Sequence, residues 1–487
     1  MQRVDVDGVP VFWRQGPEPL SATLLFRVGR RDETFVGGGI THLVEHLVMR
    51  DFGRTHLDCN ASVDLGTTAF TATGRHEAVK GFLESVCQSL RDLPVEGLEV
   101  EKSVLKREGG SAAHPLECAA LLARFGGRDL GLAGLVEPAL DALTGDDVRR
   151  WAGKYFVTEN AALALTGPPP PGLSLDLPSG TRNHRKPPAQ RPIPLPGWTN
   201  GPPGAAVAFL GRYSAALKAG TGLALDRITD ELRHGRGEAY DVDYYVTGVD
   251  PDAELTHVTF VADPEDKRAG SVANQIVDIL DKIAEDGPTP EELAHDHAGM
   301  VEAFADPRSI DSEVYSFASA HLADKPLESN EVLLEQHLRL TPADVAQALA
   351  PVQATILAIV PEDVEFVRPR FRIVPPSCGD PVDGRVHKRR PFGSWAPPGS
   401  RLRVGDQGVS IVHADGVHGT ARWVDVDGVG LDAEGIYSVQ SSEGTCVPLR
   451  AGDWLGGGDI IKLLQAKVPA ELFFREDSDD EETPQKR

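Results

Sequence analysis

The sequence has no long hydrophobic run, few cysteines and comparatively little positive charge. No stretch approaches the roughly 18–20 consecutive apolar residues of a membrane-spanning helix, so we expect no membrane span. The five cysteines are scattered and no CxxC pair occurs, which predicts neither a disulfide framework nor a thiolate zinc site. The first residues are charged where a signal peptide has its apolar run, so we expect a cytoplasmic protein with reduced thiols.

The shortage of basic residues excludes two classes of partner. Lys and Arg number 49 against 73 Asp and Glu, which gives a formal net charge of −24. A general nucleic-acid binder needs a basic face to neutralise phosphates, and adhesion to anionic lipid has the same requirement. We therefore expect neither nucleic acid nor a membrane as a partner. With 41% hydrophobic and 25% charged residues, the composition is that of an ordinary globular protein.

Proline-rich segments divide the chain into parts. Residues 168–204 contain 12 of the 37 prolines, and a second break covers residues 375–400. Proline removes backbone N–H donors and disfavours helix before it, so both segments are predicted to be extended linkers. They separate three predicted domains, which cover residues 1–167, 205–374 and 401–475. The acidic tail, residues 476–487, is predicted to be disordered.

The two large segments repeat one plan. Thr144 and Thr341 lie 197 residues apart, and each is followed three residues later by an aspartate, a pattern typical of a helix start. In both cases a helical pattern and then a strand-like segment follow. The sequence therefore predicts a duplicated α+β domain. From residue 401 onward, short alternating segments followed by a helical segment at Asp459–Lys467 predict a small, mostly β module.

One motif in the first repeat points to chemistry. The segment Gly37–His46 reads GGGITHLVEH, and on a helix His42 and His46 lie one turn apart and face the same way. Two such imidazoles suit a divalent ion, zinc first, and Glu45 beside them can take a proton from metal-bound water. Apolar residues fill the rest of the helix, so it is predicted to be buried. Titratable groups in a buried helix need partners, which a metal supplies.

A catalytic zinc needs a third protein ligand from elsewhere in the chain. The helical segment Glu101–Glu108 offers two carboxylates seven residues apart, and therefore on one face. From spacing alone, either Glu101 or Glu108 is a candidate, and an exposed charged helix explains the pattern equally well.

These segments together resemble the M16 metallopeptidases, the family of insulinase, pitrilysin and the mitochondrial processing peptidase. Val28–Glu33 followed by Gly39–His46 is similar to the family's N-terminal signature, and Glu101–Glu108 resembles the helix that holds its distal carboxylates. Asn60–Ser62 and Thr67–Phe70 resemble the strand pair between them. The resemblance covers about residues 1–375. It implies a two-domain chain of the M16B type, each domain being an antiparallel sheet flanked by helices.

Carried over residue by residue, the resemblance implies one zinc ion per chain held by His42, His46 and Glu108. Glu45 would be the catalytic base, and Glu101 the acid that supports a ligand. One spacing departs from the family pattern: 62 residues separate His46 from Glu108, fewer than usual, and the missing piece falls between Arg50 and Asn60. Peptide substrate is expected to add as a strand to the sheet edge near Asn60 and Ala61.

The second repeat lacks the H-x-x-E-H motif but has Arg233 and Tyr240 at the spacing of the family's arginine/tyrosine pair. A guanidinium and a phenol can bind a substrate carbonyl and the oxyanion formed from it. Family members enclose a chamber with four such domains, and this chain supplies two, so the resemblance implies a second chain. A homodimer would complete its own sites with Arg233 and Tyr240 acting in trans, and a paralogous partner fits the sequence equally well.

The function that the resemblance implies is zinc-dependent hydrolysis of peptide bonds in unstructured oligopeptides. The alternative is a non-catalytic M16-like scaffold or the partner subunit of a heterodimeric peptidase, which the short segment after Arg50 keeps open. A third reading is a metal-binding regulatory protein that binds zinc and cleaves nothing. The C-terminal module resembles a small PH-like barrel at the level of fold, and no function follows from that resemblance.

Overall fold

A computed structural model describes residues 1–52, 56–109, 113–235, 237–250 and 254–476. The strands of the first repeat are β1 Gln2–Val6, β2 Val9–Trp13, β3 Leu20–Phe26, β4 Asp58–Val63, β5 Thr68–Gly74 and β6 Ala161–Leu165. Its helices are α1 Ile40–Met49, α2 His76–Arg91, α3 Leu98–Glu108, α4 Pro115–Phe125 and α5 Gly145–Tyr155. The sheet has the order β1-β2-β6-β3-β5-β4, which leaves β4 at one edge.

The second repeat follows the same plan. Its strands are β7 Gly197–Gly201, β8 Ala205–Arg212, β9 Ala239–Asp250, β10 Leu255–Pro264, β11 Leu357–Pro361 and β12 Arg372–Ile373, in the sheet order β12-β7-β11-β8-β10-β9. Its helices are α6 Ala215–Thr229, α7 Ala269–Asp286, α8 Pro290–Ala305, α9 Ser309–Leu322, α10 Asn330–Leu338 and α11 Pro342–Leu349. Strand β9 occupies the edge that β4 occupies in the first sheet, so the predicted duplication is present in the topology.

Both sheets are mostly antiparallel, with parallel neighbours near the edge opposite to β4 and β9. Strand β2 pairs in parallel with β6, and β7 pairs in parallel with β11. The predicted antiparallel sheets flanked by helices are present, with parallel pairs added at this side. The predicted helix starts at Thr144 and Thr341 are both present, and each threonine hydroxyl accepts a hydrogen bond from the backbone N–H three residues on.

Each repeat covers the other's sheet with one helix. Helix α9 of the second repeat packs its residues Val314, Ala318 and Leu322 against the outer face of the first sheet, where it buries Leu25 and Ala162. In the reciprocal contact, α4 of the first repeat packs on the second sheet through these buried residues: Leu116, Ala120, Ala206, Ala208, Val261 and Ile359. Both faces of β8 are thus covered, which explains why residues 205–210 form a continuous apolar run rather than an alternating pattern.

The C-terminal module is β-rich, as predicted. Two four-stranded sheets, with the orders β13-β14-β15-β16 and β19-β18-β17-β20, share one core with a helix. Their bounds are β13 Arg385–Lys388, β14 Arg401–Gly405, β15 Gly408–Val412, β16 His418–Arg422, β17 Val426–Leu431, β18 Ile436–Ser441, β19 Cys446–Arg450, β20 Phe473–Arg475 and α12 Gly457–Lys467. The module docks on the first repeat, where Phe474 contacts Phe35 and Asp427 pairs with Arg128.

Each predicted linker contains a strand. Strand β7 lies inside residues 168–204 and β13 inside residues 375–400, so the second repeat begins at Gly197 rather than at Ala205. Prolines flank Gly197–Gly201, but none lies within it. Each of its residues therefore has a backbone N–H group, and the strand can pair with β11. Residues 173–177 pack against the core of the first repeat, where Leu175 is fully buried. Of the acidic tail, residues 477–487 lie outside the described residues.

No helix in the described ranges is long and apolar enough to cross a lipid bilayer.

The reciprocal helix contact predicts a measurable coupling between the repeats. Leu322→Ala removes a side chain that is 1% exposed and wedged against the first sheet, so we expect it to lower the free energy of unfolding by about 2–5 kcal/mol. Leu455→Ala, at a leucine that is 52% exposed, is the matched control and should change it by less than about 0.5 kcal/mol. Urea denaturation followed by fluorescence measures the free energy of unfolding of both variants. Equal decreases for the two variants would contradict the packing of Leu322 on the first sheet.

Candidate metal centre

Helix α1 is largely buried, and the backbone conformation of Gly39 determines where it begins. Leu43, Val44, Leu47 and Val48 are all fully buried in the core of the first repeat. The helix begins after Gly39, which has a φ of +85°, and a Cβ there would lie 2.8 Å from a carboxylate oxygen of Glu137. Only glycine allows that backbone to approach so closely.

Glu33 holds the N-terminus of α1. Its two carboxylate oxygens each accept a hydrogen bond of 2.9 Å, one from the backbone N–H of Gly39 and the other from that of Thr41. Arg30 in turn donates to Glu33 at 2.8 Å. A carboxylate on the free N–H groups of a helix start stabilises the helix, so Glu33 sets the position of the histidines one turn later. The sequence shows Glu33 in the N-terminal signature, but nothing in the spacing indicates this capping role.

The structure brings His42, His46 and Glu108 together. Glu108 Oε2 lies 3.4 Å from His46 Nε2 and 3.7 Å from His42 Nε2. The two imidazole rings are almost perpendicular, with centroids 4.6 Å apart. Helix α3 reaches this point because Leu98 and Leu105 are buried in the same core as α1. Glu108 lies three residues beyond Leu105 and therefore faces the histidines.

Glu101 lies behind His46. Its Oε2 is 3.1 Å from Nδ1 of His46, and its Oε1 accepts a hydrogen bond of 3.3 Å from Arg50. A carboxylate on Nδ1 fixes the orientation of the ring and directs Nε2 towards Glu108. The structure thus separates the two acids that spacing alone left equivalent, with Glu108 facing the two Nε2 atoms and Glu101 supporting one ring.

Glu45 lies beside both histidines and is 7% exposed. Its Oε2 is 3.5 Å from His42 Nε2 and 3.7 Å from His46 Nε2. Burial raises the pKa of Glu45 to about 7; the nearby charges of Glu108 and Glu101 act in the same direction, and His46 opposes them. Burial also lowers the pKa of His42 to about 4, with the charge of His46 acting in the same direction. His42 is therefore a neutral imidazole at physiological pH, as a metal ligand must be.

This donor set fits a zinc ion. Two imidazole nitrogens and one carboxylate oxygen, each offered by a different side chain, lie within 4.8 Å of one another. Zinc binds such ligands at about 2.0–2.2 Å, which places neighbouring ligand atoms a little over 3 Å apart, and the 3.4 and 3.7 Å separations here are close to that. Three protein ligands with a solvent-facing side are the composition of a catalytic rather than a structural zinc site.

The cluster opens into a cleft of about 1640 Å³. His42, Glu45 and Glu108 lie on its wall, which is also formed by the edge strands of both sheets, at residues 61–63 of β4 and 245–249 of β9. The C-terminal module contributes residues 443–446. The cleft is large enough for several residues of an extended peptide and is bordered by two strands that can pair with one.

The remaining predicted site residues lie in different places. Ala61 lines the cleft, while Asn60, on the same edge strand, is exposed outside the lining. Arg233 is exposed in the helical turn Asp230–Gly235 and is not among the residues that line the cleft. Tyr240 is the second residue of β9, and its side chain lies outside the described part. Residues 53–55 of the short segment after Arg50 are also outside it.

The fold is that of the M16 peptidases. A structure described as an M16 peptidase inactive domain from Pseudomonas fluorescens aligns with a TM-score of 0.60 at 15% identity, over 76% of this chain and 99% of that one. A protease from Helicobacter pylori aligns with 0.59 at 16% identity, over 74% of this chain and 98% of that one. The first half of the periplasmic protease PqqL from Escherichia coli gives 0.56 at 14%, over 75% and 92%. No protein-family model matches the sequence, and neither does any curated protein.

The contact between Glu101 and His46 predicts an effect on metal affinity. Glu101→Gln keeps the size of the side chain but removes its charge, so zinc affinity should fall by about 10- to 100-fold. Glu96→Gln, an exposed change just before the same helix, should leave it unchanged. Competition against a chromophoric chelator measures both variants. Equal affinities would show that Glu101 does not support a ligand.

Proposed function

We propose that this chain belongs to the M16 metallopeptidase family and is a zinc-dependent endopeptidase that hydrolyses unstructured oligopeptides. The observation that carries the proposal is the convergence of His42, His46 and Glu108 on one point, with the buried carboxyl of Glu45 beside them. The M16 fold supports it, and so does the cleft onto which three of these four side chains open.

His42, His46 and Glu108 would hold the zinc ion, with Glu101 fixing the ring of His46. Zinc bound there would supply Lewis-acid polarisation of the scissile carbonyl and a more acidic water molecule. Glu45 then accepts the proton of the attacking water and delivers it to the leaving amine. A carboxyl whose pKa is raised to about 7 can do both near neutral pH, because neither its protonated nor its ionised form is strongly disfavoured.

Edge strand β4 is proposed to bind the substrate backbone. It pairs with β5 on one side, and its other side is the end of the sheet. An extended peptide that pairs with β4 near Ala61 is held mainly by backbone hydrogen bonds, which favours unstructured substrates over any one sequence. Strand β9 on the opposite wall is the corresponding edge of the second sheet.

A second chain is proposed to complete the site, either an identical copy or a paralogue. Arg233 does not line the cleft of its own chain, which is compatible with a role in the site of a partner. Arg233 and Tyr240 of that partner would then stabilise the tetrahedral oxyanion. The cysteines are free thiols, which supports the further proposal of a cytoplasmic location.

A non-catalytic scaffold remains the second candidate, because one structural neighbour is described as an inactive domain. This chain keeps all three candidate ligands and the carboxyl of Glu45, close to one another. That observation favours the peptidase over the scaffold.

The role of Glu45 can be separated from metal binding. Glu45→Gln should keep stoichiometric zinc but lower kcat at least about 100-fold, because the amide cannot accept the proton of the attacking water. Mass spectrometry of a mixed unstructured peptide library, with and without chelator, measures turnover, and Glu96→Gln is the matched control. Full activity of Glu45→Gln would refute the role, while zinc binding without cleavage by the unaltered protein would favour the scaffold.

Action in trans can be tested by mixing two inactive variants. In a mixed dimer, the Arg233→Ala chain keeps its Glu45 and the Glu45→Gln chain keeps its Arg233. These two residues meet in one site only if the arginine comes from the partner chain. Random exchange should then restore about a quarter of the wild-type activity, since half of the dimers are mixed and each has one intact site. If the arginine acts within its own chain, the mixture stays inactive.

A further inference from the structure

A second cluster of metal-ligating side chains lies in the second repeat, away from the cleft. Asp296 and His297 are neighbours on α8, and His337 is near the end of α10. Each offers one ligand atom, and these three atoms all lie within 4.8 Å of one another. None of the three residues lines the cleft that contains His42 and Glu45.

The three side chains contact one another closely. His337 Nε2 lies 2.6 Å from a carboxylate oxygen of Asp296, and the His337 residue is 2% exposed. The rings of His297 and His337 meet edge to face, with centroids 5.5 Å apart. The carboxylate on one side and the second imidazole on the other leave the His337 ring little freedom to reorient. The cluster is therefore largely preorganised.

One atom of the cluster has no hydrogen-bond partner. His297 Nε2 is inaccessible to solvent and makes no hydrogen bond to any residue that the structure describes. Buried ring nitrogens are nearly always hydrogen-bonded or ligated, because a buried polar atom without a partner is unfavourable. This ring nitrogen, next to a second histidine and a carboxylate, is therefore available to a cation.

The surroundings are acidic. Asp226 on α6 interacts electrostatically with Asp230, Glu292 and Asp296 on the elements around it, and with His295 as the opposing positive group. Arg227 offsets Glu292, to which it donates two hydrogen bonds of 2.7 Å. The remaining carboxylates produce a negative potential at the cluster, which favours the binding of a divalent cation there.

We propose that Asp296, His297 and His337 form a second zinc site that ties α8 to α10. Two imidazoles and one carboxylate are a donor set that zinc prefers over magnesium or calcium. Because 41 residues separate the two ligating positions, the ion closes a long loop of the second repeat and stabilises the folded chain.

The test counts zinc in the full chain. After incubation with zinc chloride alone and desalting, elemental analysis should find two zinc ions per chain in the unaltered protein and one in the His42→Ala/His46→Ala variant. Adding His297→Ala to that double variant should remove the remaining ion. His295→Ala, an exposed histidine on the same helix, is the matched control and should retain it. Asp296→Asn, which keeps the shape of the side chain, should also lose the ion.

A second readout is the thermal midpoint. Zinc should raise the midpoint of the His42→Ala/His46→Ala variant, and the rise should disappear with Asp296→Asn while the midpoint in the presence of chelator stays within a few degrees. A zinc ion that persists in both the His297→Ala and the Asp296→Asn variants overturns the site. So does an unaltered chain whose single ion is lost with His42 and His46. If the unaltered chain binds a single zinc ion and the His297→Ala substitution removes it, the result supports this site and counts against the proposed peptidase centre.

Discussion

The approach of helix α3 to helix α1 is the constraint on which the account depends. Leu98 and Leu105 bury one face of α3 in the core that also contains Leu43 and Leu47 of α1. That packing places a carboxylate oxygen of Glu108 at 3.4 and 3.7 Å from the Nε2 atoms of His46 and His42, which lie 62 and 66 residues earlier in the chain. Without it, the two imidazoles would face only the carboxyl of Glu45, and no second carboxylate would complete a set of three metal ligands.

Local pattern was sufficient for part of this site. His42, Glu45 and His46 follow from the spacing of one helix, and the strand pair β4 and β5 follows from the resemblance of Asn60–Ser62 and Thr67–Phe70 to the family's strand pair. The choice between Glu101 and Glu108 does not, because it depends on how α3 packs against α1. The capping of α1 by Glu33 cannot be predicted from the sequence either, because its hydrogen bonds connect a loop to a helix and leave no periodic pattern.

Dependence on packing between distant segments also explains why some elements are not predicted from the sequence. Helices α4 and α9 bury apolar residues against the sheet of the other repeat, so their burial cannot be seen from one segment alone. The cluster of Asp296, His297 and His337 is a further case, because it forms only where α8 and α10 meet. The prolines around strand β7 predict a linker there, although none of its own residues is a proline and it pairs with β11.

The measurement that tests the central claim most directly is anomalous diffraction at the zinc absorption edge from crystals of the Glu45→Gln chain grown with zinc. The account predicts a strong anomalous peak between Nε2 of His42, Nε2 of His46 and the carboxylate of Glu108, with Glu101 still on Nδ1 of His46. A map with no peak there, and with Glu108 turned into solvent, would contradict it. The chain would then be a shell with the M16 fold and no reactive centre.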